Sequence, residues 1–240
     1  MMTTQTTLKL QQQIIELAKN SGTSLAGIAR VEDLKSSQSY DIYPNDPYYA
    51  YFEAFAEWPE DARTILVFGL EHKKEVPEMD WWDPKPGGTP GNRSLIDIQK
   101  KLKKSLLENL SIKATSVPYL IEKGGIFLKD TSALAGIGII GKNNLLLSPV
   151  YGPRVRLRAL ILNVDLEPTG SLDFNPCAAC DLLCFKACPQ KAFRNGSYER
   201  KYCKVQMKKD EDNVQPLPYD PDTVHVRYCR ACEFSCPAGQ

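Results

Sequence analysis

The residues of this 240-residue chain whose type and spacing could do chemistry are its eight cysteines, all in the last 64 positions. The first run is Cys177-x2-Cys180-x3-Cys184-x3-Cys188-Pro189. The second is Cys203, a gap, then Cys229-x2-Cys232-x3-Cys236-Pro237. A secreted disulfide scaffold spreads its cysteines through a short chain behind an apolar leader. Here the N-terminus, MMTTQTTLKLQQQIIELAK, is polar and then amphipathic, with no secretory core and no twin arginine. Clustered thiols in such a chain read as metal ligands, and a cytoplasmic location is expected.

The spacing narrows the metal. Bacterial two-cluster ferredoxins carry C-x2-C-x2-C-x3-C-P, and the fourth cysteine of each run ligates the other cluster. Each closing Cys-Pro stands where that exchange requires it. The spacing therefore assigns one [4Fe–4S] cluster to Cys177, Cys180, Cys184 and Cys236, and a second to Cys188, Cys203, Cys229 and Cys232. One departure is the x3 spacing between Cys180 and Cys184, a residue longer than the usual x2. Tetrahedral zinc is the rival, since it also takes four thiolates.

Two further segments carry chemical residue types. Residues 135–144, AGIGIIGKNN, spell GxGxxG through Gly136, Gly138 and Gly141, and GxxxxGK through Gly136 to Lys142. The first fingerprint needs a strand before it and a helix after it, and the second needs Ser or Thr where Asn143 stands. Neither nucleotide reading holds. What is left is a tight backbone that something bulky can approach, with Lys142 and Asn143 as donors, or a turn serving only the fold. Arg154, Arg156 and Arg158 alternate with Val155, Leu157 and Ala159, which puts three guanidiniums on one strand face. They read as a solvated sheet face or as an anion-contacting stripe.

Ordinary globular composition, 42% hydrophobic and 25% charged, supplies elements to position these residues. With 30 Lys+Arg against 29 Asp+Glu there is no surplus for a generic nucleic-acid binder, and no apolar run is long enough to span a membrane. Leu10, Ile14, Leu17 and Ala18 predict a helix ending near Ser21-Gly22, and a short strand follows at Leu25–Ala29. A helix is expected around Tyr48–Glu57. The run 64–70, TILVFGL, reads as a strand buried on both faces. Residues 77–93, rich in Pro and Gly, read as an irregular loop in which Trp81 and Trp82 either cover a pocket or anchor a surface loop. A helix capped by Ser94 and Asp97 should bury Leu95, Ile98, Leu102, Leu106 and Leu110, leaving Lys100, Lys101, Lys103 and Lys104 in water. Strands are expected at 112–119, 144–148 and 155–165. The fold class is α+β, with a body at 1–171 and a cysteine-rich domain at 172–240.

Taken together, these features resemble the epoxyqueuosine reductase family, cobalamin-dependent iron–sulfur enzymes of queuosine tRNA maturation whose core is related to reductive dehalogenases. The resemblance rests on the N-terminal helix leading to Leu25–Ala29, the strand 62–70, the segment 135–149 (AGIGIIGKNNLLLSP), Tyr151-Gly152 and both cysteine sets. It implies a nitroreductase-like body that binds cobalamin through Gly136, Gly138, Gly141, Lys142 and Asn143, and a ferredoxin-like domain with two [4Fe–4S] clusters. It implies no histidine ligand to cobalt, in keeping with only two histidines, His72 and His225, neither in a DxHxxG motif. The family's proton-donating acid falls on Glu122; Asp130 is the alternative, and a plain surface role for Glu122 is the other. Electrons would come from an external low-potential donor such as ferredoxin or flavodoxin and pass through the clusters to cobalt, then to a substrate that the residues do not identify. The chain corresponds to a short form lacking the family's C-terminal extension, which leaves tRNA as one candidate partner and no membrane as another expectation. A non-catalytic electron carrier or corrinoid-reactivating protein is the alternative function, and a zinc-tailed nucleic-acid binder a third.

Overall fold

Helix α1 (Thr4–Asn20) opens the chain because its apolar residues recur at helical spacing, and it buries Ile14 and Ala18. It stops where Gly22, at φ +103°, takes a left-handed turn that closes the last carbonyls. This computed structural model describes residues 4–42, 52, 54–214, 216 and 220–239. Next come β1 (Leu25–Arg30), α2 (Val31–Lys35), α3 (Gln38–Ile42) and β2 (Thr64–Glu71). A 3-10 turn, Pro77–Asp80, precedes the long α4 (Pro90–Leu110). Then follow β3 (Ala114–Ser116), α5 (Leu128–Leu134), β4 (Ile139–Ile140), β5 (Leu146–Leu147) and β6 (Val155–Leu162). Among the described residues beyond β6 only short helices form: α6 (Leu183–Ala187), α7 (Arg200–Asp212) and α8 (Ala231–Phe234).

Contacts divide the chain into two compact units, and both are discontinuous in sequence. One comprises Met1–Leu70, Asp97–Ile139 and Leu157–Asp173; the other comprises Glu71–Ile96, Ile140–Arg156 and Phe174–Gln240. The first is built on a four-stranded sheet of order β1-β2-β6-β3, with β1 antiparallel to β2 and β3 antiparallel to β6. Ile65, Leu66, Val67 and Phe68 of β2 are fully buried, as a strand covered on both faces requires. Leu102 and Leu106 of α4 join that core, while Lys100, Lys101, Lys103 and Lys104 face water. The buried amide of Gln99 is satisfied by Ala159 O at 2.9 Å.

Several expected boundaries move, each for a local reason. Residues 77–93 are not wholly irregular: 77–80 form a 3-10 turn and α4 begins at Pro90 rather than Ser94. Proline suits a first helical turn because its missing N–H has no partner there anyway. Thr89 is the true cap, its Oγ1 accepting Asn92 N–H at 3.1 Å, while Ser94 Oγ donates back to Pro90 O at 3.1 Å. The strand expected at 112–119 shrinks to Ala114–Ser116, ahead of a proline at 118 that cannot join a ladder. Asn144, at φ +59°, turns the chain and leaves only Leu146–Leu147 extended. Half of the helix expected around Tyr48–Glu57 lies outside the described residues, and 52 and 54–57 contain none of it.

No strand precedes the glycine segment and no helix follows it, so both nucleotide fingerprints lack their context. Helix α5 runs straight into Gly136, at φ +65°, and a Cβ there would lie 2.1 Å from Gly170 O. The close approach is made by the chain's own backbone. Gly136→Ala should therefore cost about 3 kcal/mol, combining left-handed strain with a displaced carbonyl. Gly196→Ala, also left-handed at φ +82° but with nothing within 4 Å, should cost only about 1 kcal/mol. Thermal unfolding of both variants checks the ordering.

Candidate metal centre

Cys177, Cys180, Cys184 and Cys236 line one cavity of the second unit, together with Leu182 and Asn143. Short helices bring the thiols together: Cys184 lies on α6 and Cys236 two residues beyond α8, and α6 packs against α8. The long Cys180–Cys184 spacing is absorbed at Leu182, which sits at φ +54° and caps α6 from a left-handed conformation. A side chain there costs roughly 1–2 kcal/mol, and the turn it makes puts Cys184 on the cavity wall.

The other four thiols form their own electrostatic neighbourhood. Burial first, and then Cys229, Cys203, Glu233 and Cys188, push the Cys232 thiol up to about 12. Cys203 lies on α7, and a bond from Tyr198 reaches it; burial and that thiol raise the Tyr198 hydroxyl. Cys188 Sγ accepts Ala192 N–H at 3.3 Å, and Cys229 N–H is held by Asp210 Oδ2 at 2.8 Å. In the first set, burial and neighbouring thiols likewise raise Cys184 and Cys236. Thiols so crowded resist ionising together unless a cation shares their charge, which is what a metal centre provides. Among the described residues no three His, Cys, Asp or Glu side chains converge on a single-ion site.

Sequence reasoning missed the ionic network that holds the second run. Asp80 Oδ1 receives His72 Nδ1 at 2.8 Å and Arg156 Nε at 2.9 Å, and Arg230 Nη1 closes on Asp80 Oδ2. Arg156 Nη2 also reaches Glu233 Oε2 at 2.9 Å, and Arg230 Nε meets the same oxygen at 2.9 Å. Arg230 directly follows Cys229, and Glu233 directly follows Cys232, so the network fixes the backbone carrying two thiols. Charges within a cysteine run were the available signal, but their partners at 72, 80 and 156 are remote in sequence. The arginine stripe is corrected accordingly. Arg154 and Arg158 are buried, the first donating to Gly239 O at 2.7 Å and the second lying 5.3 Å from the Tyr119 ring, and Arg156 serves protein carboxylates. No solvated face exists there, because β6 is covered on both sides.

The remaining predicted residues scatter. Gly136 and Gly138 belong to the first unit, and Gly141, Lys142 and Asn143 to the second. Lys142 is exposed, whereas Asn143 is 3% exposed. Glu122 is half-buried in the loop between β3 and α5, its carbonyl receiving Ala54 N–H at 3.3 Å. Asp130 is buried and accepts Ser39 Oγ at 2.8 Å. Trp81 and Trp82 anchor a loop: Trp82 exchanges two backbone bonds with Val226, and Arg227 stacks 4.2 Å from the Trp81 ring. His72 and His225 both bond to aspartates, Asp80 and Asp220.

No family model matches the chain. An epoxyqueuosine reductase of Lactococcus garvieae (strain Lg2) is 28% identical over 193 residues, covering 74% of this chain and 52% of that protein. The chain thus spans about half the length of this curated relative. An epoxyqueuosine reductase solved with an epoxyqueuosine-modified tRNA-Tyr stem loop superposes with a TM-score of 0.68 at 19% identity, covering 97% of this chain and 66% of that one. A reductive dehalogenase, whose structure suggests a mechanism for B12-dependent dehalogenation, gives 0.60 at 16% identity, covering 95% and 31%. The fold is therefore the α+β fold that epoxyqueuosine reductases share with reductive dehalogenases. In sequence the chain is thus similar to epoxyqueuosine reductases, and in fold to both groups. No helix among the described residues is long and apolar enough to cross a membrane.

Burial alone would raise the Asp80 carboxyl, but the His72 bond and the Arg156 and Arg230 charges outweigh it and hold the group below its usual value. Its stabilising contribution is then complete above roughly pH 4 and is lost as pH falls through the lowered native value. Asp80→Asn should destabilise the protein by about 2 kcal/mol at neutral pH, since it removes one of the two carboxylates that face the part-buried Arg156 and Arg230 guanidiniums. It should also flatten the acid-side loss of stability. Unfolding followed from neutral pH to roughly pH 3 checks both; acid loss of metal is common to the two proteins, so the difference between their slopes isolates the carboxylate.

Proposed function

We propose that this protein is an iron–sulfur, corrinoid-dependent reductase. In this reading Cys177, Cys180, Cys184 and Cys236 hold one [4Fe–4S] cluster, and Cys188, Cys203, Cys229 and Cys232 hold the second, within a ferredoxin-like domain at 172–240. The observation that carries it is the single cavity whose wall includes the first four thiols, three from one run and one from the other. Four thiols set around a cavity suit a multi-iron cage better than one zinc ion, which draws its ligands to a point. Bound there, such clusters supply one-electron transfer at low potential, and a corrinoid on the body at 1–171 would supply the two-electron chemistry.

The chain's own residues would divide the remaining work. Lys142, exposed beside the glycine turn, is the proposed corrinoid contact, since Gly136 and Gly141 are closed by the chain's own atoms. Glu122, half-buried on its loop, is the proposed proton donor. Electrons would enter from a low-potential protein donor such as ferredoxin or flavodoxin. Modified tRNA is the candidate substrate class, because the superposing reductase is bound to such a stem loop.

Protein purified without oxygen should carry about eight irons and as many sulfides per chain, and should bind hydroxocobalamin saturably at one per chain with displacement of its base. Glu122→Gln should leave both values unchanged while lowering turnover of epoxyqueuosine-modified tRNA by about a hundredfold or more. Full iron without cobalamin binding would replace the reductase with an electron carrier, and zinc in place of iron would overturn the reading altogether.

A further inference from the structure

Asn143 lines the cavity of Cys177, Cys180, Cys184 and Cys236 and is 3% exposed. Its Oδ1 accepts the backbone N–H of Leu145 at 3.2 Å, which fixes which way the amide points. The other end, Nδ2, is buried with no hydrogen-bond partner among the described residues. An amide donor stranded in this way costs roughly 1–3 kcal/mol unless something in the cavity accepts its proton. The side chain has little freedom to escape. Gly141 N–H bonds Leu145 O at 2.9 Å and Asn144 N–H bonds Gly141 O at 2.8 Å, which closes the turn on both sides of Asn143. Gly141 packs so tightly that a Cβ would lie 2.5 Å from Leu147 Cδ1, and Leu147 also lines the cavity.

We propose that Asn143 Nδ2 donates a hydrogen bond to a sulfur of the cluster held by these four thiols and raises its reduction potential. This rests on the iron–sulfur reading above, and it gives Asn143 to the cluster rather than to a corrinoid. A sulfur, whether cysteine Sγ or bridging sulfide, is the acceptor that a thiol-lined cavity would contain once filled. Adding an electron makes the sulfurs more negative, so an N–H donor stabilises the reduced cluster more than the oxidised one. Asn143 is thus a positioning and tuning residue, not a ligand.

The test uses the anaerobically purified holoprotein, with iron and sulfide counted first. In protein labelled with 15N at asparagine side chains, pulsed EPR of the reduced cluster should show a 15N coupling that disappears in Asn143→Asp. That variant keeps an oxygen for Leu145 N–H and so keeps the turn. An EPR-monitored redox titration of Asn143→Leu, which adds no charge, should show the reduced-to-oxidised ratio at a fixed potential falling about fivefold for this cluster, the equivalent of one ordinary hydrogen bond. The second cluster should be unmoved. Full iron with no 15N coupling in the unsubstituted protein, or an unchanged potential in Asn143→Leu, overturns the proposal. Absence of iron from the unsubstituted protein overturns the proposed function instead, and the two failures are told apart by the iron count.

Discussion

A largely buried network of charge ties remote segments of the second unit to one another. Its apolar interior is thin, with Leu146, Leu147, Val155, Phe193 and Val226 among the few large side chains it buries. The space between is occupied by Asp80, His72, Arg156, Arg230 and Glu233, whose charges are closed on one another by hydrogen bonds. Two carboxylates facing two guanidiniums leave little uncompensated charge, and the forked contacts fix direction as well as distance. Such a network adds less net stability than apolar packing would, but removing any one member is costly. Its members come from the residue after β2, the 3-10 turn, β6 and the second cysteine run, so the geometry of two thiols is set by residues far from them in sequence.

The same economy governs the thiols. Eight cysteines in a segment with little core cannot all ionise beside one another, and burial raises Cys184, Cys229, Cys232 and Cys236. Two features supply order before any metal is considered: the left-handed turn at Leu182 and the backbone bond from Cys229 to Asp210. A non-glycine residue in that conformation persists only where its surroundings hold it, and strain of this kind concentrates at functional sites. Here it buries Cys184 beside Cys177, Cys180 and Cys236, despite a spacing one residue longer than the common run.

Legibility in the sequence follows the range of the physics involved. Helix α1, β1 and β2 were readable because burial imposes a period on neighbouring residues, and the lysine face of α4 was readable for the same reason. That Cys177, Cys180 and Cys184 share one cavity wall follows from spacing within a run, which is local. The start of α4 was misplaced because Thr89 and Pro90 sit in a segment whose composition signals a loop. The arginines of β6 were misread because period two shows which residues share a face but not what covers it. Nothing local marks Asp80 as the partner of Arg156. The glycine segment failed in an instructive way: its motif was correctly set aside, yet the reason for Gly136 is a carbonyl at Gly170 that no pattern reveals.

That segment also shows how one stretch can serve the fold and the chemistry at different residues. Gly136 is needed where the chain's own backbone presses against it, and Gly141 where Leu147 does. Neither position has space left for a ligand atom at the missing Cβ. Lys142 is exposed to water. Asn143 is different, because its turn is already satisfied through Oδ1 while its donor remains buried. A residue needed only for the turn could be aspartate, which accepts the same N–H and leaves no stranded proton. The thiols on the same cavity wall favour the proposed cluster, a group rich in sulfur and negative charge, as the acceptor for that amide.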